Sequence, residues 1–171
     1  SLSDGKLEIK QNSKIKNIKS LDEWRLVVVI PEGTTLKSVE LDVDAGDIDL
    51  VSLVCDKAEI SADAGDLLIK DVQFSNTEIS ADAGDIKVQT SSLGKVDISA
   101  DLGSISLDDT TFTKGEVEAD MGDIDIDGDF ESLKANCDVG SINITTSNPD
   151  EAKLDLECSL GTITVNGEQW K

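Results

Sequence analysis

The chain has 171 residues, of which 38% are apolar and only 3% aromatic, and its formal charge is −21. That length fits one domain, and so few large side chains argue against an ordinary globular core. Residues 38–171 hold eight basic and 31 acidic side chains, against seven and five in residues 1–37, and a body of that sign repels phosphate backbones and excludes nucleic acid as a partner class.

Cations, basic peptides and basic surfaces remain, although high charge also serves solubility alone. The three cysteines are too few and too irregularly spaced for a disulfide framework or a zinc knuckle. No apolar run reaches membrane-spanning length and no signal-peptide pattern opens the chain. The abrupt start at Ser1 raises the expectation that an anchor or targeting segment precedes it in the native protein.

In chain order, Lys6–Lys10 and Lys14–Ile18 alternate or nearly alternate apolar residues and predict short strands. Trp24–Ile30 is a continuous run rich in β-branched residues, read as a buried strand that Pro31-Glu-Gly33 turns away. Residues 1–37 are expected to cap the remainder of the chain and to run into a partial first coil, since an uncovered end would leave backbone groups open to edge-to-edge association.

From residue 38 the chain repeats itself. Asp44-Ala-Gly-Asp-Ile-Asp-Leu50 returns at Asp63, Asp82, Asp101, Asp120, Asp138 and, altered, at Ser159. Its glycines are Gly46, Gly65, Gly84, Gly103, Gly122, Gly140 and Gly161, separated by 19, 19, 19, 19, 18 and 21 residues. A fixed period of that length predicts a solenoid of about seven coils: an all-β, single-chain parallel β-helix, right-handed because strand crossovers favour that hand, with the left-handed hexapeptide type as the alternative.

Within each coil Leu41, Val43, Ile48 and Leu50 and their counterparts are expected to point inward, with Glu40, Asp42, Asp44, Asp47 and Asp49 alternating outward. The closing connection adds one apolar column, Cys55, Phe74, Leu93, Phe112 and Phe130. The Val43 column continues as Ala62, Ala81, Ala100, Ala119, Cys137 and Cys158, small enough to predict a flattened coil and to make these cysteines buried apolar residues, not a bridge. The glycines are assigned to the structural turn, with positive φ or a bend that a Cβ would obstruct. Thr145–Ala152, containing Asn148-Pro149, is the irregular and most mobile loop, and Trp170 is expected to lie over the last coil.

Stacking turns columns into ladders: Asp44, Asp63, Asp82, Asp101, Asp120 and Asp138; Glu40, Glu59, Glu78, Asp97 and Glu116; and Asp47, Asp66, Asp85 and Asp123, interrupted by Ser104. At a coil spacing of about 4.8 Å such charges repel by roughly 1 kcal/mol in water, so something must offset them. For the Asp44 column an Asx-turn, in which the aspartate accepts the N–H of the turn glycine, is the favoured reading. Bound Ca²⁺ is the alternative for the same residues, since it prefers oxygen ligands. No metal site or other cofactor is assigned. The chain has no His and one arginine, Arg25, which removes the commonest general base and the Ser-His and Cys-His nucleophiles. Paired carboxylates could still cleave glycosides, yet every coil offers the same ones and no aromatic platform is present. The chain is expected not to be an enzyme.

The run Val28-Val-Ile-Pro-Glu-Gly33, followed by coils reading Ile79–Val88 (ISADAGDIKV) and Ile98–Leu107 (ISADLGSISL), resembles the bacterial adhesin-type family known as DUF4097 over residues 24–171. The resemblance implies a parallel β-helix of the cell envelope, often tethered by a lipid or membrane segment, in some cases tied to envelope stress, and without assigned catalytic residues. The reading is therefore a non-catalytic, extracytoplasmic, adhesin-like interaction module. It would present Glu40, Glu59, Glu78, Asp97 and Glu116 to cationic or envelope macromolecules, as a monomer or an end-to-end dimer. A structural spacer is the alternative.

Overall fold

The structure is a computed structural model that describes residues 2, 3, 6–10 and 26–170, with side chains from residue 26 onward. Among the described residues every regular element is a strand: β1 (Leu2–Ser3), β2 (Lys6–Lys10), β3 (Thr35–Val43), β4 (Ile48–Val51), β5 (Val54–Ala64), β6 (Leu67–Lys70), β7 (Gln73–Ala83), β8 (Ile86–Leu102), β9 (Ile105–Met121), β10 (Ile124–Thr145), β11 (Lys153–Val165) and β12 (Glu168–Gln169). From β2 to β11 all pairings are parallel, and each residue lies opposite its equivalent one repeat away, as in Leu41↔Ile60, Ile60↔Ile79 and Ile79↔Ile98. The fold is a β-solenoid. The long strands β8, β9 and β10 are bent, each joining the second strand of one coil to the first of the next.

Alternation drives this. Ile60, Leu67, Ile69, Ile79, Ile86 and Val88 are buried while the residues between them face out, so each coil contributes several side chains worth about 1.5–3 kcal/mol apiece when fully buried. The predicted inward columns are all present. The Val43 column narrows the interior as expected, and its thiols reach the corner: Cys137 Sγ donates to the Gly122 carbonyl and Cys158 Sγ to that of Gly140, each at 3.3 Å. All three cysteines are unbridged. The closing column is buried too, with the Phe112 and Phe130 rings stacked at 4.9 Å. Beside it lies a second inward column that the sequence reading missed: Leu53, Val72, Ser91 and Thr110, changing from apolar to polar down the stack. Its hydroxyls satisfy themselves locally, Ser91 Oγ on the Gln89 carbonyl at 2.7 Å and Thr110 Oγ1 on that of Asp108 at 3.1 Å. Thr77 is different, a core hydroxyl without a partner.

Several expectations change. Leu26–Val29 do not form a buried strand: they are irregular and exposed, Val29 by 85%, and only Ile30 packs against the core. The Pro31–Gly33 turn does form, closed by Thr34 N–H on the Pro31 carbonyl at 3.2 Å. β2 lies in register on β3, Glu8 opposite Glu40, so the stack begins before residue 38. Lys14–Ile18, Trp24 and Arg25 lie outside the described residues. At the other end β12 folds back on Thr164 and Val165, Trp170 N–H donates to the Ile163 carbonyl at 2.9 Å, and Trp170 is 42% exposed. Of the Thr145–Ala152 connection, Thr145 still belongs to β10 and residues 146–152 are irregular but tethered. Asn148 donates to the Phe130 carbonyl at 3.1 Å, and Asp129 accepts from Thr146 and Ser147. The 18-residue glycine step has its own cause. A register shift between Ile126 and Gly128 drops one residue at the second corner, where a Cβ on Gly128 would sit 1.8 Å from the Thr110 carbonyl oxygen.

Candidate functional site

Each coil turns at two corners. At the first, Gly46, Gly65, Gly84, Gly103 and Gly122 adopt φ of 130, 142, 145, 150 and 153°, and a Cβ on Gly65 would lie 2.2 Å from the Gly46 carbonyl oxygen. Only glycine combines that backbone with that approach. The second corner escaped the sequence reading: Ser52, Asp71, Thr90, Asp109 and Asn166 all hold φ of 49–56°. A column of Ser, Asp, Thr and Asn, residues that favour turns, was the available signal.

The ladders stand where the register puts them, but their roles differ from expectation. The turn glycines do not donate to Asp44 and its copies. Gly46 N–H goes to the Ala64 carbonyl at 2.8 Å, Gly65 to Ala83 and Gly84 to Leu102, both at 2.9 Å. The Asx-turn reading is thereby corrected, because parallel stacking supplies each glycine amide with a partner in the next coil. The carboxylates that satisfy corner amides are those of the Asp47 column. Asp47 Oδ1 accepts Asp66 N–H at 2.9 Å, Asp66 accepts Asp85 N–H at 2.9 Å, Asp85 accepts Ser104 N–H at 2.8 Å and Asp123 accepts Ser141 N–H at 2.8 Å. Ser104 keeps the chain of bonds going, its Oγ accepting Asp123 N–H at 3.3 Å. Asp63, Asp82, Asp101, Asp120 and Asp138 point to solvent beside this column.

The Glu40 ladder is confirmed in register: Glu40, Glu59, Glu78, Asp97 and Glu116, then Lys134 and Asp155. Two residues earlier on the same outward face runs a partly basic column, Lys57, Asn76, Lys95 and Lys114. Lys57 pairs with Glu59, and Lys134 bridges Glu116 at 2.5 Å and Glu118 at 3.7 Å. The hydrogen bond and charge of Lys134 hold the Glu116 carboxyl below its ordinary range. A shallow depression in the N-terminal half is lined by Glu40, Glu59, Glu78, Asp42, Ser61 and Ser80. This face is a mixed-charge zipper whose acidic part is concentrated toward its first coils.

Elsewhere on the surface Lys87 pairs with Asp108 at 3.2 Å. Burial raises the Asp108 carboxyl, but hydrogen bonds from Lys87, Gln89 and Ser106 outweigh it and leave it below the usual value. Burial, with Asp56 adding to it, pushes the Cys55 thiol up to about 12, and burial together with Cys158 pushes Cys137 to about 11. Both are neutral thiols at physiological pH and poor nucleophiles. Among the described residues no three His, Cys, Asp or Glu side chains converge on a point where a metal ion could sit. The carboxylates stand in parallel rows, each row one residue wide.

No curated protein and no solved structure matches the chain. The model of one family matches residues 1–170, and the chain therefore belongs to the Toastrack (DUF4097) family.

Proposed function

We propose that this chain is a non-catalytic, extracytoplasmic binding module that engages cationic partners, such as basic peptides or cell-envelope polymers, through its outward acidic face. The observation that carries the reading is the in-register ladder Glu40, Glu59, Glu78, Asp97 and Glu116 with its depression over the first three members. Carboxylates at strand spacing give a linear array suited to a polymer of repeated positive charge, and the absence of histidine together with the raised thiols gives acid–base or thiolate chemistry little support. The placement at the cell surface rests on family membership alone. The test is binding of oligolysine and of cell-wall preparations to the wild type and to the triple variant Glu40→Gln, Glu59→Gln, Glu78→Gln. The reading expects salt-sensitive binding that the triple variant weakens about tenfold or more; unchanged binding removes this face from the account. A rigid charged spacer is the second reading, favoured by the pairing of Lys57 and Lys134 with carboxylates of the same face, which neutralises part of the ladder internally. It expects no binding by either protein.

A further inference from the structure

The residue before the turn glycine of each repeat forms one more column, at the outer edge of the first corner. In the first three coils it is Ala45, Ala64 and Ala83; in the next four it is Leu102, Met121, Val139 and Leu160, in register with one another. Where ordinary solenoid surface would be polar, these four side chains are exposed by 48, 53, 46 and 69%. The alanines show that the fold does not need them large. Large apolar side chains stacked in an exposed row mark an interaction surface.

What covers this ridge is constrained by its flanks. Asp101, Asp120 and Asp138 precede the first three ridge residues and are exposed, and Asp123 lies on the other side. A second copy of the ridge would bring these carboxylates against their own kind, and an anionic lipid surface would be repelled likewise. A basic partner meets complementary charge along one side of the apolar seam, from Asp101, Asp120 and Asp138, and at Asp123 among the hydroxyls of Ser104, Ser141 and Thr162 on the other. The repeat selects its conformation. Coils recur at about 4.8 Å and turns of an α-helix at about 5.4 Å, so a helix laid along the stack drifts by only about 2 Å between Leu102 and Leu160. An extended strand, advancing about 6.6 Å per two residues, slips by more than a whole coil over the same distance.

We infer that the ridge Leu102, Met121, Val139 and Leu160 docks a basic amphipathic α-helix, one turn per coil, with its apolar stripe on the ridge and its lysines or arginines over the flanking aspartates. This does not rest on the Glu40 ladder, whose Asp97 and Glu116 lie five residues before Leu102 and Met121 on β8 and β9.

The experiment measures anisotropy of a labelled 18-residue helical peptide at physiological salt. Its leucines sit at i, i+3 and i+4 spacing and lysines fill the other positions. The wild type is expected to bind it, and at least tenfold more tightly than a peptide of the same composition with the leucines scattered around the helix. The quadruple variant Leu102→Ala, Met121→Ala, Val139→Ala, Leu160→Ala keeps every carboxylate and should bind at least tenfold more weakly, while Val51→Ala with Val54→Ala, which removes exposed apolar groups elsewhere, should bind as the wild type does. If the quadruple variant fails to melt cooperatively, Met121→Gln with Leu160→Gln carries the same expectation. Failure of the wild type to bind, equal affinity for the two peptides, or unchanged affinity of the ridge variants overturns the proposal. So does a wild-type dimer that the ridge variants lose in sedimentation, or binding to neutral lipid vesicles that depends on the ridge, because each assigns the ridge another occupant.

Discussion

At the scale of single residues the corner glycines are where this fold is least tolerant. Gly84 holds φ of +145° and an added Cβ would sit 2.1 Å from the Gly65 carbonyl oxygen, an atom fixed by its own coil. Relief would require separating two hydrogen-bonded coils. Gly33 also has positive φ, +78°, but nothing lies within 4 Å of where its Cβ would be. The two substitutions therefore separate conformational strain from collision. Gly33→Ala should cost about 1 kcal/mol, the penalty for a left-handed backbone alone, and Gly84→Ala about 3 kcal/mol or more. Urea unfolding of both variants checks this; equal losses would mean that the coils yield to the extra atom. The same contrast explains why the second corner was harder to read. It is a left-handed corner without glycine, and Thr90 with φ of 49° bears strain that only the weak signal of turn-favouring residues in its column announces.

At the scale of strands, the inward columns were legible because alternation and the 19-residue step are both written in side-chain polarity. Leu41, Ile60, Ile79 and Ile98 align on polarity and spacing alone, and the register bears the alignment out. The roles of the polar columns were not legible. Asp44 and Asp47 are identical in type and flank the same glycine, and only the direction of the corner decides which one meets an amide of the next coil. Nor does a run such as Leu26–Val29 reveal by composition that it is irregular and exposed. The Asp47 ladder yields a direct expectation. Asp85 accepts the Ser104 amide at 2.8 Å, a bond that asparagine can reproduce and alanine cannot. Asp85→Ala should lose about 1 kcal/mol, the ordinary net worth of one hydrogen bond, whereas Asp85→Asn should stay within about 0.5 kcal/mol of the wild type, or exceed it at low salt through lost repulsion. Chemical denaturation at low and high salt distinguishes these outcomes, and equal losses in both variants would show that the charge itself is needed.

Over the whole molecule the net charge of −21 is a cost that stacking multiplies, since every coil repeats the charges of its neighbour at strand spacing. Among the described residues no three acidic side chains converge on one point, and diffuse screening is therefore the expected way of lowering this cost. Mobile ions shorten the reach of such repulsion from about 30 Å at 0.01 M to about 3 Å at 1 M. The thermal midpoint should accordingly rise with sodium chloride and level off as screening becomes complete. Calcium and magnesium, compared at equal ionic strength, should raise it equally, because a charge-density effect does not distinguish two divalent ions whereas a coordination site does. Thermal unfolding with each ion, and again after chelation, is the measurement. A rise of many degrees with calcium alone would mean that the folded state binds it specifically, since a ligand held only by the native form stabilises that form in proportion to its occupancy. The Asp63, Asp82 and Asp101 carboxylates, exposed at a corner whose glycine amides are already bonded from coil to coil, would then be the ligands to substitute first.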